Sequence, residues 1–118
     1  MNEAHKIWKD YVNDIREDVD FTQEIYEAIF RVRVAKKVGG DKEQTWAEVR
    51  SIPGVTIVTP FGIPHDDPNG TTVSLRVKFC CISAVELTPR VYAHKVLKRQ
   101  MKGIEGLSVI ALIGVSRL

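Results

Sequence analysis

Three consecutive residues offer the most direct metal-binding chemistry in the chain. His65, Asp66 and Asp67 supply an imidazole and two carboxylates, which are ligand types that divalent metals bind in proteins. They lie among prolines and next to an Asn-Gly pair, a setting that is typical of a turn. The sequence contains no second ligand cluster with suitable spacing, so we predict no metal site.

The stretch Gly39-Gly40-Asp41 comes just before a predicted helix, where backbone N–H groups can bind an anion. It matches neither a P-loop nor a dinucleotide-binding motif, and Asp41 competes for the same N–H groups. We therefore interpret this stretch as a helix cap, with Gln44 in the capping-box position.

The residue types that could act as nucleophiles lack partners in the sequence. Cys80 and Cys81 are adjacent, so in a strand their side chains point to opposite faces, and no base is placed to activate either thiol. His5 and His94 have no evident catalytic partner, and no Ser, His and Asp set shows suggestive spacing. We predict no catalytic residue, no enzyme activity and no cofactor.

The elements that position these residues follow from hydrophobic periodicity. Apolar residues at helical spacing predict an amphipathic helix over 3–19. The pattern then predicts, in order, a strand from Tyr26, a helix from Asp41 to Pro53-Gly54, a strand over Val55–Thr59, a loop over Pro60–Gly70, a strand over Val73–Cys81, a helix from Thr88-Pro89 to Gly103, and a strand over Leu107–Val115.

One phrase occurs twice in the chain, each time where a helix is predicted to end and a strand to begin. SIPGVTIV covers 51–58 and GIEGLSVI covers 103–110, with Gly54 and Gly106 at equivalent positions. Each half is therefore a strand–helix–strand unit, and the glycine allows the turn from helix into strand. Two such units joined by a hairpin form an α+β, ferredoxin-like split βαβ fold, βαββαβ, with a four-stranded antiparallel sheet. We expect two parts: an acidic amphipathic helix at 1–24 and the ferredoxin-like domain at 25–118.

Charge is distributed unevenly along the chain. Residues 1–28 contain eight acidic and three basic residues, a net charge of −5, whereas residues 29–118 contain fourteen basic and seven acidic residues, a net charge of +7. The overall net charge of +2 conceals this asymmetry. An acidic segment before a basic body favours electrostatic docking, either within the chain or with a partner.

In this topology the first and third strands are central, and both helices cover one face of the sheet. We expect the open face to carry Arg31, Arg33, Arg76 and Lys78, four cations that repel one another unless a negative group or solvent screens them. The last strand also places apolar residues, Ile110 and Leu112, on that face, which indicates that it is covered. The predicted cover is the N-terminal helix or a second subunit. The helix would contribute Ile7, Trp8, Tyr11 and Ile15 to this interface.

A basic sheet face is also found on RNA-recognition modules, which stack bases on aromatic side chains of the central strands. Here the predicted open face has no aromatic residue in either central strand, because Phe30 and Phe79 fall on the core side. Nucleic-acid binding through Arg31, Arg33, Arg76 and Lys78 is therefore our second hypothesis. A small-ligand regulatory domain, by analogy of fold alone, is the third.

Three stretches together resemble small proteins encoded by tailed bacteriophages: RVRVAKKVGGDKEQTWAEVRSIPGVTIV, VSLRVKFCC and PRVYAHKVLKRQMKGIEGLSVI. The resemblance implies a virion or assembly role, as a subunit that is repeated symmetrically and binds its neighbours. We accordingly expect a non-catalytic interaction protein that partners other protein subunits in a homo-oligomer or a hetero-assembly. The sequence has no apolar run long enough to span a membrane and no signal-peptide pattern at Met1, so we expect an intracellular location, or the virion.

Overall fold

A computed structural model of the protein describes residues 20–36, 42–83 and 85–118. The elements in those ranges are β1 Tyr26–Ala35, α1 Lys42–Arg50, β2 Val55–Asp67, β3 Gly70–Phe79, α2 Pro89–Tyr92, a π-helical segment Ala93–Leu97, α3 Lys98–Lys102 and β4 Leu107–Arg117. The last three helical pieces follow one another without a break, and we call residues 89–102 the basic helix. The N-terminal helix predicted over 3–19 and the cap predicted at Asp41 lie outside the described residues.

The four strands form one sheet in the order β2-β3-β1-β4, and each strand runs antiparallel to its neighbours. Strands β1 and β3 are therefore central, whereas β2 and β4 are the edges. The predicted α+β class with a four-stranded antiparallel sheet is confirmed. Among the described residues, no helix has both the length and the hydropathy that crossing a bilayer requires.

The core lies between one face of the sheet and the helices. Alternate residues of the two central strands are fully buried there, as the period-two pattern predicts; they include Phe30, Val32, Leu75, Val77 and Phe79. The helices contribute Trp46, Val49, Tyr92, Val96, Leu97 and Met101. The rings of Phe79 and Tyr92 stack with centroids 5.9 Å apart, joining the centre of the sheet to the basic helix. Burying each such side chain stabilises the fold by about 1.5–3 kcal/mol.

The repeated phrase adopts the same turn in both halves. Gly54 and Gly106 have φ of 89° and 79°, a conformation that residues with a Cβ rarely adopt. The next residue donates its N–H to the carbonyl three positions back in each case, Val55 to Ile52 at 3.0 Å and Leu107 to Ile104 at 3.2 Å. Both turns thus lead from the end of a helix into an edge strand.

The start of the basic helix also agrees with the sequence. The Thr88 hydroxyl accepts a hydrogen bond from the Val91 N–H at 3.3 Å, and Pro89 occupies the first turn, where its missing N–H costs nothing. Thr88 is therefore the predicted N-cap. The π-helical segment inside this helix was not predicted from its sequence.

The predicted loop over Pro60–Gly70 is wrong, because β2 continues to Asp67 and turns directly into β3. An edge strand tolerates Pro60 and Pro64, since one side of its backbone has no ladder partner. The pairing is irregular: Phe61 lies opposite Ser74 and His65 opposite Thr72, so residues 62–64 together face Val73. We call residues 62–64 the knob.

Candidate interaction surfaces

The open face of the sheet consists of the strand residues that alternate with the buried ones. Both helices pack on the opposite face, and no element in the described ranges lies over it. Three of the central-strand cations point to this face at interleaved positions, with Arg31 opposite Ser74, Arg76 opposite Ile29, and Lys78 opposite Glu27. Arg33 shares the same face, opposite Thr72. The predicted placement of the four cations therefore agrees with the register.

Acidic side chains of the same chain neutralise two of these four cations. Arg33 donates two parallel hydrogen bonds to Asp67, from Nη1 to Oδ2 at 2.5 Å and from Nη2 to Oδ1 at 2.7 Å. Arg76 Nε lies 3.3 Å from Glu27 Oε1, close enough for ion pairing but without hydrogen-bond geometry. The Arg76 guanidinium also lies over the Phe61 ring, 4.7 Å from its centroid. The negative groups expected over the cations are therefore supplied, in part, by β1 and β2.

This arrangement weakens the hypothesis of nucleic-acid binding through the open face. Two of its four cations are already paired with carboxylates, and only Arg31 and Lys78 have no ion pair in the described part of the chain. Phe30 and Phe79 are fully buried in the core. Phe61, on the edge strand, is occupied by Arg76. The face therefore offers no central aromatic platform on which bases could stack.

The Arg33–Asp67 pair predicts a specific acid sensitivity. The hydrogen bonds from Arg33, assisted by the Asn69 N–H, lower the pKa of Asp67 from 3.8 to about 2. A lowered folded-state pKa stabilises the fold fully above the unfolded value and less as the pH falls through the folded value. We expect the urea midpoint of the wild type to fall between pH 4 and pH 2 by more than that of Asp67→Asn. Asp66→Asn leaves the pair intact and should retain the wild-type loss; equal losses in all three proteins would contradict the prediction.

Large aliphatic side chains are exposed at both edges of the sheet. On β2, Ile63 in the knob is 96% exposed and Ile57 is 48% exposed. On β4, Ile110 and Ile113 are 52% and 55% exposed. Ile63 extends from a bend at Gly62, whose φ is 80° and around which the structure leaves open space. Since surface isoleucines are normally scattered singly, their concentration on two opposite edges marks those edges as candidate interfaces.

The predicted faces of β4 need correction. Val32 pairs with Val109, Arg31 with Ala111, Phe30 with Leu112 and Ile29 with Gly114, so Ile110 and Ile113 are left without cross-strand partners, as in β-bulges. Because each extra residue shifts the alternation, Leu112 shares the core face with Phe30 and packs against the core rather than on the open face. Ala111, opposite Arg31, lies on the open face, and Ile113 is exposed at the edge. Ile110 is exposed, and no described element covers it.

A shallow groove lies between the basic helix and β4. It has a volume of about 370 Å³ and is lined by Arg90, Val91, His94, Lys95 and Leu112. Val91 and Leu112 supply apolar surface, and the remaining three residues supply basic or imidazole groups. We call this feature the β4 groove. The sequence alone does not predict it, because it depends on the register shift that brings Leu112 to the helix side.

The basic helix exposes a continuous set of basic side chains. Arg90, His94, Lys95, Arg99 and Lys102 are exposed and Lys98 is half-buried, while the helix sequence PRVYAHKVLKRQMK has no acidic residue. A second concavity is lined entirely by five of these side chains: His94, Lys95, Lys98, Arg99 and Lys102. None of the six has an ion-pair partner among residues 20–36, 42–83 and 85–118.

The side chains that the sequence offered as metal ligands or nucleophiles make structural contacts or are shielded by burial. Asp67 pairs with Arg33, and the Asp66 carboxylate accepts a hydrogen bond from the Thr71 hydroxyl. Burial raises the pKa of the Cys81 thiol to about 11 and also raises that of Cys80, so both thiols stay protonated near neutral pH. Among the described residues, no three His, Cys, Asp or Glu side chains are grouped to hold a metal.

The remaining interface residues predicted from the sequence, Ile7, Trp8, Tyr11 and Ile15, lie outside the described residues. The surface features that the structure does describe are the two exposed sheet edges, the β4 groove and the basic helix. No protein-family model matches the chain, and no curated protein matches it.

Proposed function

We propose that this protein is a non-catalytic subunit that binds further copies of itself through the two opposite edges of its sheet. The observation that carries the proposal is the exposure of Ile57 and Ile63 at the β2 edge and of Ile110 and Ile113 at the β4 edge. One copy cannot cover both edges with each other, because β2 and β4 lie on opposite sides of the sheet. Contact between copies removes both sets of apolar side chains from water.

The two edges are complementary in shape and charge. The knob presents Ile63 on a protruding bend, and the β4 groove presents a concavity with Val91 and Leu112 in its lining. Close to the knob, the Asp66 side chain is 72% exposed, accepts a hydrogen bond from Thr71 and lies 3.9 Å from the Lys42 ammonium. Arg90 and Lys95 at the groove have the opposite charge. A knob from one copy and a groove from the next therefore match in both respects.

Contact between two different surfaces is heterologous, so an open assembly keeps one free β2 edge and one free β4 edge, at its two ends, after every addition. Such contacts generate closed rings or filaments, depending on the rotation between neighbours. We expect side-chain packing rather than an extended sheet across the contact, because Pro60 and Pro64 interrupt the donors of β2. The irregular pairing of β4 also disfavours strand addition at its edge.

The sequence resemblance also supports a repeated-subunit role. The resemblance of the chain to small tailed-phage proteins implies a virion component, and such components are repeated around symmetry axes. We also assign the domain to the ferredoxin-like class, on the basis of its βαββαβ element order and the strand order β2-β3-β1-β4. This class supports many functions, so the surfaces, and not the fold, carry the functional proposal.

The proposal is tested by sedimentation velocity with light scattering over a wide range of protein concentrations. We expect species at multiples of the 13.3 kDa chain mass, with the larger species favoured as the concentration rises. Association should persist at high salt, because apolar burial is screened much less than ion pairing. A protein that is monomeric at every concentration would contradict the proposal.

A further inference from the structure

We infer that the basic helix binds the phosphate backbone of double-stranded nucleic acid. This inference does not require the proposed self-association, although Arg90, His94 and Lys95 of the helix also line the β4 groove. It rests on the basic side chains of one helix face, which have no ion-pair partner in the described part of the chain, on their concave arrangement and on the absence of aromatic side chains among them. The proposed nucleic-acid surface lies on the helix side of the domain, opposite the open sheet face for which the sequence suggested nucleic-acid binding.

The positive charge of this helix is not accounted for by helix stability. Cations in the last turn, such as Arg99 and Lys102, interact favourably with the helix dipole, but Arg90 in the first turn does not. Lys95 and Arg99 are four residues apart, as are Lys98 and Lys102, and like charges at that spacing destabilise a helix. The helix carries five lysine and arginine side chains and His94 without one acidic residue, a composition that is typical of a phosphate-binding surface.

The geometry fits an extended polyanion better than a single anion. A helix of 14 residues is roughly 20 Å long, and duplex nucleic acid carries one phosphate charge for every 1.7 Å or so of its axis, so several phosphates lie within reach at once. The concavity of about 310 Å³ that His94, Lys95, Lys98, Arg99 and Lys102 line is open and has cationic or imidazole side chains on every side. Long flexible cations of this kind contact phosphates without reading sequence.

The residues around the helix favour a duplex over a single strand. Single-stranded nucleic acids are held by aromatic side chains on which successive bases stack. The aromatic residue of this helix, Tyr92, is fully buried and stacked on Phe79. The exposed set therefore provides charge alone, and we expect binding without sequence preference and with strong salt dependence.

The test measures fluorescence anisotropy of a labelled DNA duplex at several salt concentrations, with the full chain and a triple variant, Lys98→Gln, Arg99→Gln and Lys102→Gln. These three residues line the helix concavity but not the β4 groove, so self-association should be unchanged. If the wild type makes all three contacts, the slope of log K against log salt should become shallower by about 2.7 in the variant, at roughly 0.9 per lost phosphate contact.

The matched control is Arg31→Gln with Lys78→Gln, which removes the two cations of the open face that have no ion pair among the described residues. We expect this double variant to keep the wild-type slope. Equal slopes for the triple variant and the wild type would overturn the inference, as would a wild type that shows no salt-dependent binding. Polyglutamate of matched charge should compete poorly, and competition as strong as that of unlabelled duplex would assign the helix to an acidic protein partner instead.

Discussion

Replacing Gly54 with alanine is expected to lower the free energy of unfolding by about 2–4 kcal/mol, because two separate costs combine at this position. The first cost is conformational, since φ is 89°. The second is steric, since an added Cβ would lie 2.7 Å from both the Cys80 carbonyl oxygen and the Phe21 ring. The Cys80 N–H already donates to the Gly54 carbonyl at 2.8 Å, so the backbone has little room to move away.

Two other glycines separate these costs. Gly62 has a similar φ of 80° but open space around it, so Gly62→Ala should cost only about 1–2 kcal/mol. Gly114 has neither a positive φ nor a close neighbour, and Gly114→Ala should change the free energy of unfolding by less than about 0.5 kcal/mol. Urea unfolding of the three variants measures the series. Equal losses in Gly54→Ala and Gly62→Ala would show that the close approach of Phe21 and Cys80 is not limiting.

Replacing Ile63 with aspartate is expected to weaken self-association by about 100-fold or more. Burying an isoleucine in a partner's groove contributes up to about 3 kcal/mol, and that contribution is lost while a carboxylate has to be desolvated. The stability of the monomer should hardly change, because Ile63 is 96% exposed in the single chain. Dissociation constants from sedimentation and urea midpoints together test both halves of this prediction.

A control variant on the same strand separates the effect of added charge from the loss of the Ile63 side chain. Thr59 is exposed and lies opposite Arg76 on the open face, away from the knob. Thr59→Asp adds the same charge to β2 without removing an apolar side chain, so association should be close to that of the wild type. If Thr59→Asp and Ile63→Asp weaken association equally, the effect is one of net charge and the knob has no special role.

Much of the fold follows from local patterns in the chain. Strict alternation in β1 and β3, the Thr88-Pro89 start of the basic helix and the repeated turn at Gly54 and Gly106 were all predictable. Each depends on neighbouring residues alone: side chains alternate along a strand, proline suits a first helical turn, and glycine tolerates a positive φ.

The features that position the candidate surfaces depend instead on pairing between distant strands. Pro60 and Pro64 are typical of a loop, yet an edge strand accepts them, so β2 is longer than its sequence indicates. Two irregularities in β4 reverse the expected direction of Leu112. No periodicity in a single segment can reveal a residue that is skipped by the partner strand.

The charges of the open face show the same contrast between what a local pattern predicts and what depends on strand pairing. Alternation correctly places Arg33 and Arg76 on that face. Their partners Asp67 and Glu27 follow only from the extended β2 hairpin and from the cross-strand register. Charge along the sequence therefore cannot distinguish cations that carboxylates neutralise from those of the basic helix, which have no described ion-pair partner.

The central claim, that one edge of the sheet binds the opposite edge of the next copy, is tested most directly by mixing two variants. Ile63→Asp disables the β2 edge, and Ile113→Asp disables the β4 edge. Each variant alone should be monomeric, because every contact requires one edge of each kind. An equal mixture should form a 1:1 dimer of twice 13.3 kDa and nothing larger, since only one productive contact remains. A variant that dimerises alone, or a mixture that stays monomeric when the wild type associates, would contradict the claim.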